Sequence, residues 1–163
     1  MQFLTVVLAW GNDFFSVLNF SAGQIGFNSR YDGKTVTGLV GSSVNFTWSF
    51  NGDVNSVYWG LKRDGGIGFK NNGVLVCLGK NGPLSVKVPS AYSGRVSGRG
   101  DASSGQVIFT LSQIKSSDER FYGCLISPTD DFDSQKFDSV YLAVKGEYAF
   151  LYMSGFMKTV WKN

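Results

Sequence analysis

The sequence predicts an all-β fold, an antiparallel sandwich or barrel of two packed layers. Two observations carry this. Four segments alternate apolar and polar residues with the two-residue period of a half-buried strand. Between them fall clusters of Gly, Asn, Asp, Ser and Pro of the kind that reverse a chain. No stretch holds a helical period long enough to commit to, apart from a candidate in the tail at 147–157.

The strands can be taken in order. In GSSVNFTWSF, Val44, Phe46 and Trp48 alternate with Asn45 and Thr47. In SVYWGLK, Val57, Trp59 and Leu61 alternate with Tyr58, Gly60 and Lys62. In QVIFTLSQI, Val107, Phe109 and Leu111 alternate with Ile108 and Thr110, and in SVYLAVK the apolar series is Val140, Leu142 and Val144. Turns are expected at Asn51-Gly52-Asp53, Asp64-Gly65-Gly66, Asn71-Asn72-Gly73, Lys80-Asn81-Gly82-Pro83 and Ser103-Ser104-Gly105. There is no internal repeat.

Composition narrows the function. A chain of 163 residues suits one domain with short extensions, and 43% hydrophobic residues suffice for a core. The net charge of +3 is small and scattered, with no Lys or Arg run that would track a phosphate backbone, so nucleic acid is not an expected partner. The chain has no His, the commonest general base and metal ligand. Cys77 and Cys124 match no metal-binding spacing. With no nucleophile elbow and no Gly-rich phosphate loop between strand and helix, neither an enzyme nor a cofactor is expected.

Residues 1–23 read as a candidate signal peptide. Phe3 to Trp10 is apolar and Ser21-Ala22-Gly23 offers small residues for cleavage, but Gly11-Asn12-Asp13 interrupts the run and no Lys or Arg precedes it. An ordinary strand is the alternative. Residues 147–163 form a short apolar and basic tail; its apolar part, 148–157, falls short of the ~20 residues that span a bilayer. No membrane span is read, and a membrane-attached protein would need a longer chain.

With the strands placed, the residues resemble the variable-type immunoglobulin domain over 24–146. Gly41 to Trp48 resembles strand B, and Trp59 stands where the family places its core tryptophan on strand C. Arg95-Val96-Ser97-Gly98 resembles the start of strand D, and Val107 to Ile114 strand E. Asp118-Glu-Arg-Phe-Tyr122-Gly-Cys124 resembles the E–F corner and strand F, and Phe137 to Val144 strand G. Residues 64–90 leave room for strands C′ and C″. The resemblance implies that Tyr122 bonds back to the backbone near Asp118, that Arg95 and Asp118 form an ion pair at the base, and that Trp59 fills the space between the sheets.

Two departures stand out. Where the family has its strand B cysteine, this chain has Trp48, so Cys124 lacks its usual partner. Cys77 falls in the C′–C″ region, about two strand spacings of ~4.8 Å from strand F, against the ~7 Å limit for a disulfide. The expected state is two thiols, with Cys124 as a small buried hydrophobe. Burial of the Trp48 ring, of order 150–250 Å², would offset much of the lost bridge. The core is then expected to close around an indole pair, Trp48 and Trp59. Strand G also lacks the Gly-x-Gly bulge of antigen receptors; Phe137-Asp138-Ser139 stands there. The chain thus resembles invertebrate cell-surface domains of allorecognition and adhesion more than antibody chains.

The candidate sites follow. Tyr58, Gly60, Lys62, Gly123 and Leu125 are expected to face outward on the C–F face, a flat and partly apolar surface suited to docking a protein, including a like domain. The F–G loop, Ser127 to Gln135, carries Phe132 among Asp130, Asp131 and Asp133, an aromatic anchor in a polar rim. Scattered surface residues are the plain alternative. The acids lack the Gly and Glu of a calcium loop, so no metal is expected. Arg99-Gly100-Asp101 matches the integrin-ligand tripeptide on the D–E hairpin, and is also a good turn. Asn45-Phe46-Thr47 and Asn19-Phe20-Ser21 match the glycan acceptor pattern, Asn45 pointing outward and Asn19 lost if the leader is cut.

The reading is an extracellular recognition or adhesion module, secreted or on the cell surface. It would bind a protein partner through the C–C′–F–G face and the F–G loop. The rivals are an integrin ligand acting through Arg99 and Asp101, a carbohydrate-binding sandwich suggested by the 15% aromatic content, and a degenerate gene fragment suggested by the tail after Lys145.

Overall fold

The computed structural model describes residues 25–128, 134–146, 148–153 and 156–161. The candidate leader and the acids of the F–G loop lie outside them. The strands are β1 (Gly26–Ser29), β2 (Thr35–Leu39), β3 (Val44–Asn51), β4 (Val54–Lys62), β5 (Phe69–Gly79), β6 (Gly82–Leu84), β7 (Val96–Gly100), β8 (Gln106–Leu111), β9 (Arg120–Pro128), β10 (Lys136–Lys145), β11 (Tyr148–Met153) and β12 (Phe156–Trp161). Two short 3-10 turns sit at Ser90–Tyr92 and Ser116–Asp118.

Two sheets face each other. One has the order β1-β3-β8-β7, the other β2-β10-β9-β4-β5-β6. All pairings are antiparallel except β2 with β10, where Thr35 to Leu39 run parallel to Tyr141 to Lys145. The fold is the expected antiparallel sandwich, and the strands assigned from alternation fall where they were placed. β3, with burial alternating along VNFTWSFN, puts Val44, Phe46, Trp48 and Phe50 inside.

Two expectations need correcting. The tail is a hairpin of β11 and β12, not a helix, with Tyr148 opposite Trp161 and Met153 opposite Phe156. Its Tyr, Phe, Val, Thr and Trp favour a pleated backbone. The Asn71-Asn72-Gly73 cluster does not reverse the chain either. It forms a bulge within β5: Gly60 pairs with Val74 and Lys62 with Phe69, so residues 70–73 stand opposite the single Leu61. Asn72 takes φ 54°, which an Asn tolerates better than most residues.

The core is aromatic. Trp59 lies between Phe109 (centroids 5.5 Å, planes 4° apart) and Tyr122 (5.4 Å, 14°). Phe46 contacts both indoles, at 5.5 Å from Trp59 and 6.3 Å from Trp48, and Phe109 does the same. The indoles thus share two phenyl rings as a common filling. Such pairs each add about 0.5–1.5 kcal/mol beyond their area.

No sulfur bridge joins the sheets, and both thiols are buried. Register explains why they never meet. In the order β5-β4-β9, Cys77 pairs with Tyr58 and Cys124 with Trp59. Neighbours in register share a face, so Cys77 lies on the outer side with Tyr58 and Cys124 on the inner side with Trp59. Burial pushes both thiols above their ordinary range. At Cys77 a hydrogen bond with Tyr58 opposes the rise, and at Cys124 the charge of Asp138 adds to it.

The link between sheets is instead a hydrogen bond. Trp48, on β3, donates its indole N–H to Asp138 Oδ2 on β10 at 2.7 Å. Asp138 is 3% exposed and also accepts the backbone N–H of Tyr31 (2.7 Å) and of Asp32 (3.0 Å). It pairs in register with Cys124, so the carboxylate lies beside the thiol. Three donors, two of them backbone, satisfy a charge that would otherwise be costly to bury. The edge of the Tyr31 ring rests on Trp48 at 5.0 Å.

The base of the sandwich is as expected. Arg95 and Asp118 form a buried ion pair. The Arg95 guanidinium also donates to the carbonyls of Ala91 (2.9 Å), Ser112 (3.2 Å) and Gln113 (2.8 Å), and Asp118 accepts the N–H of Lys115. Tyr122 donates its hydroxyl to the Asp118 carbonyl at 3.0 Å, and burial raises that phenol far above its ordinary range.

Candidate functional site

The two outer faces differ in chemistry. On the four-stranded sheet, residues out of phase with the core are Asn45, Thr47 and Ser49 on β3, Gln106, Ile108 and Thr110 on β8, and Ser97 and Arg99 on β7. They bond among themselves: Thr110 donates to Asn45 Oδ1 at 2.7 Å and Gln106 to Ser49 Oγ at 3.4 Å. This face is nearly all hydroxyl, amide and charge.

The six-stranded sheet presents the opposite. All four large hydrophobic residues that are exposed among the described residues belong to it or to its turns: Leu39 on β2, Ile67 between β4 and β5, Leu84 on β6 and Phe121 on β9. Phe121 packs on Tyr141 at 4.9 Å with Lys62 Nζ 5.7 Å from its ring centre. Phe69 meets Phe137 edge to face at 5.7 Å. Exposed aromatic and aliphatic surface of this kind, rimmed by a cation, is what a docking surface needs.

The expected residues can now be placed. Tyr58 and Leu125 pair across β4 and β9 on this face, half-buried, and Lys62 lies farther along β4. Gly60 and Gly123 pair between them but are not open surface as the flat-face expectation required; both are buried. A Cβ at Gly60 would collide with the carbonyl oxygen of Gly73 in the β5 bulge, and one at Gly123 with the Phe137 ring. The glycines thus let the bulge and the ring lie on the sheet. The face is contoured, not flat. Asp130, Asp131 and Phe132 lie outside the described residues.

Arg99 and Gly100 sit on β7 and Asp101 opens the following turn. The Asp101 carboxylate is engaged locally, accepting the Ser103 hydroxyl at 2.6 Å and its N–H at 2.8 Å. Those bonds, the hydroxyl first, hold its carboxyl below the usual range. The next residue, Ala102, is buried and tied through its N–H to Gly79. Asn45 is exposed on β3 with its amide nitrogen turned from the Thr110 bond.

Sequence reasoning missed the aromatic half of the face: Phe69, Phe121, Phe137 and Tyr141. The phase carried the signal, since Val140 and Leu142 inside place Phe137 and Tyr141 outside, and Tyr122 inside places Phe121 outside. It also missed Asp138, which the same phase puts inward. Among the described residues no helix is long and apolar enough to cross a membrane.

Comparison with curated proteins finds no match for the chain. The family model of the immunoglobulin V-set domain matches residues 31–144, from the Tyr31 that rests on Trp48 to the end of β10. That is well over half of the chain, and its sheet order carries the A′, C′ and C″ strands as β2, β5 and β6. The chain belongs to the immunoglobulin V-set domain family.

Proposed function

We propose that this V-set domain is an extracellular recognition or adhesion module that docks a protein partner through the outer face of its six-stranded sheet. Domains of this family are commonly recognition modules, typically outside the cell and typically non-enzymatic. The observation that supports the face is the asymmetry: exposed large hydrophobics gather on one sheet while the other is polar. The contact would centre on Tyr58, Leu125, Phe121 and Tyr141, with Lys62 on its rim and Asp130, Asp131 and Phe132 reaching from the F–G loop. Aromatic residues in well-packed positions carry most of the energy of such contacts.

Asn45 fits the same arrangement. A glycan there would cover the polar sheet and leave the aromatic one open. The folded unit proposed for this role runs from 24 to 146, preceded by a leader over 1–23.

The test is a multimer of the domain screened against displayed extracellular proteins, itself included. Phe121→Ala and Leu125→Ala should each weaken a bound partner by tenfold or more, about 1.4 kcal/mol or above. Ser97→Ala and Gln106→Ala, on the polar sheet, should change it little. Binding that is lost through the polar sheet and kept through the aromatic one rejects the proposal.

A further inference from the structure

The seam between the sheets, where the chain passes from β1 on one to β2 on the other, holds an open cavity of about 440 Å³, the size of a small-molecule site. Phe27, Ile67, Leu125 and Phe137 wall it, and Arg30 and Lys136 edge it with positive charge. The Phe137 wall is fixed in advance, its ring lying over Gly123 and meeting Phe69 edge to face at 5.7 Å.

The polar groups at this seam are donors with capacity to spare. Lys136 pairs in register with the buried Ile126, which turns its side chain toward the gap between the sheets. It is half-buried and makes no ion pair among the described residues. Arg30 meets Asp32 through Nε at 3.2 Å, which leaves its terminal nitrogens out of that contact. The backbone adds a third donor. β2 covers the edge of β10 only from Tyr141 onward. The Ser139 carbonyl and the Tyr141 N–H turn to that edge, bonding Gly33 and Lys34. The register of β10 on β9 is unbroken from Lys136 to Leu142, so the period of two turns the Phe137 N–H the same way. No strand pairs with it there among the described residues. The Asp138 carboxylate, two positions along, is already satisfied by Trp48, Tyr31 and Asp32.

Two cations and a backbone N–H beside an apolar hollow match one acidic head on an apolar body. We infer that the seam binds a small organic carboxylate. The head sits among Arg30, Lys136 and the Phe137 N–H, and the body lies against Phe27, Leu125 and Phe137. Ile67, exposed on the loop between β4 and β5, stands at the mouth and is covered by the same ligand. The site shares Leu125 with the protein contact proposed above and does not depend on it.

Octanoate is the probe, titrated into the full chain with backbone amide shifts read by NMR. Saturable shifts are expected at Lys136 and Phe137, weakening as salt rises. Octanol should bind at least about tenfold more weakly, and octylammonium should not bind there. Arg30→Gln and Lys136→Gln should each weaken octanoate by about tenfold and leave octanol unchanged, which a merely structural role would not do. Leu125→Ala should weaken both, and Phe121→Ala, a docking-face variant, neither. Octanoate that leaves the Lys136 and Phe137 amides unmoved overturns the inference. So does octanol binding as tightly as octanoate, or octanoate binding alike in wild type and both Gln variants. A Phe121→Ala chain that loses its protein partner but keeps octanoate shows the seam to be a site of its own.

Discussion

At the scale of single residues, Asp138 decides how this sandwich holds without a disulfide. Its carboxylate collects the Trp48 indole and two backbone N–H groups across the gap between sheets. Hydrogen bonds to a charged group contribute about 1.5–3 kcal/mol each. Trp48→Phe should therefore cost about 2 kcal/mol and Asp138→Ala about 3 kcal/mol or more in urea unfolding, with a non-additive double mutant. Additive losses would mean the two side chains do not act as a pair. The thiols give a second residue-scale prediction. Both folded-state values are raised, so the protonated thiols' contribution is full below the free-thiol pKa of ~8.5 and is lost as pH climbs from there toward the folded values. Native protein at neutral pH should leave both cysteines unreacted with a thiol reagent, while denatured protein yields two. Arg95→Ala leaves Asp118 buried without its cation, and should cost about 3–5 kcal/mol.

At the scale of elements, the strands were legible because alternation is a local property. Val44-Phe46-Trp48 and Val140-Leu142-Val144 announce both strand and phase without reference to anything distant. The corner residues Arg95, Asp118 and Tyr122 were legible through the family resemblance, which supplies their pairing. Asp138 was not, because its meaning lies in Trp48, 90 positions away. In isolation, an acid at an inward position reads as a missing glycine bulge. The contour of the proposed docking face was hidden for a related reason. Asn71-Asn72-Gly73 has turn composition, and only the pairing of β5 with β4 turns it into a bulge over Gly60. Gly60→Ala should accordingly cost about 1–3 kcal/mol by overpacking against backbone that cannot yield. Gly66→Ala, which meets only the flexible Arg63 side chain at 3.3 Å, should stay within ~0.5 kcal/mol. Equal effects at both sites would refute the bulge.

At the scale of the molecule, the division of labour between sheets is the main result. Trp48, Asp138 and the ring stack hold the layers together from within, so neither outer face is needed for cohesion. One outer face is polar and bears Asn45; the other gathers aromatic rings and exposed aliphatics. The most direct test is to block each face with a bulky sugar. Expressed through the secretory pathway, a sugar at the Asn45 acceptor motif would shield the polar sheet, and Tyr141→Asn with Ala143→Thr would create an acceptor on the aromatic one. Binding of the domain to its partner, measured for both glycoforms, should survive the sugar at Asn45 and vanish with the sugar at position 141. Binding that persists with position 141 occupied would contradict the account.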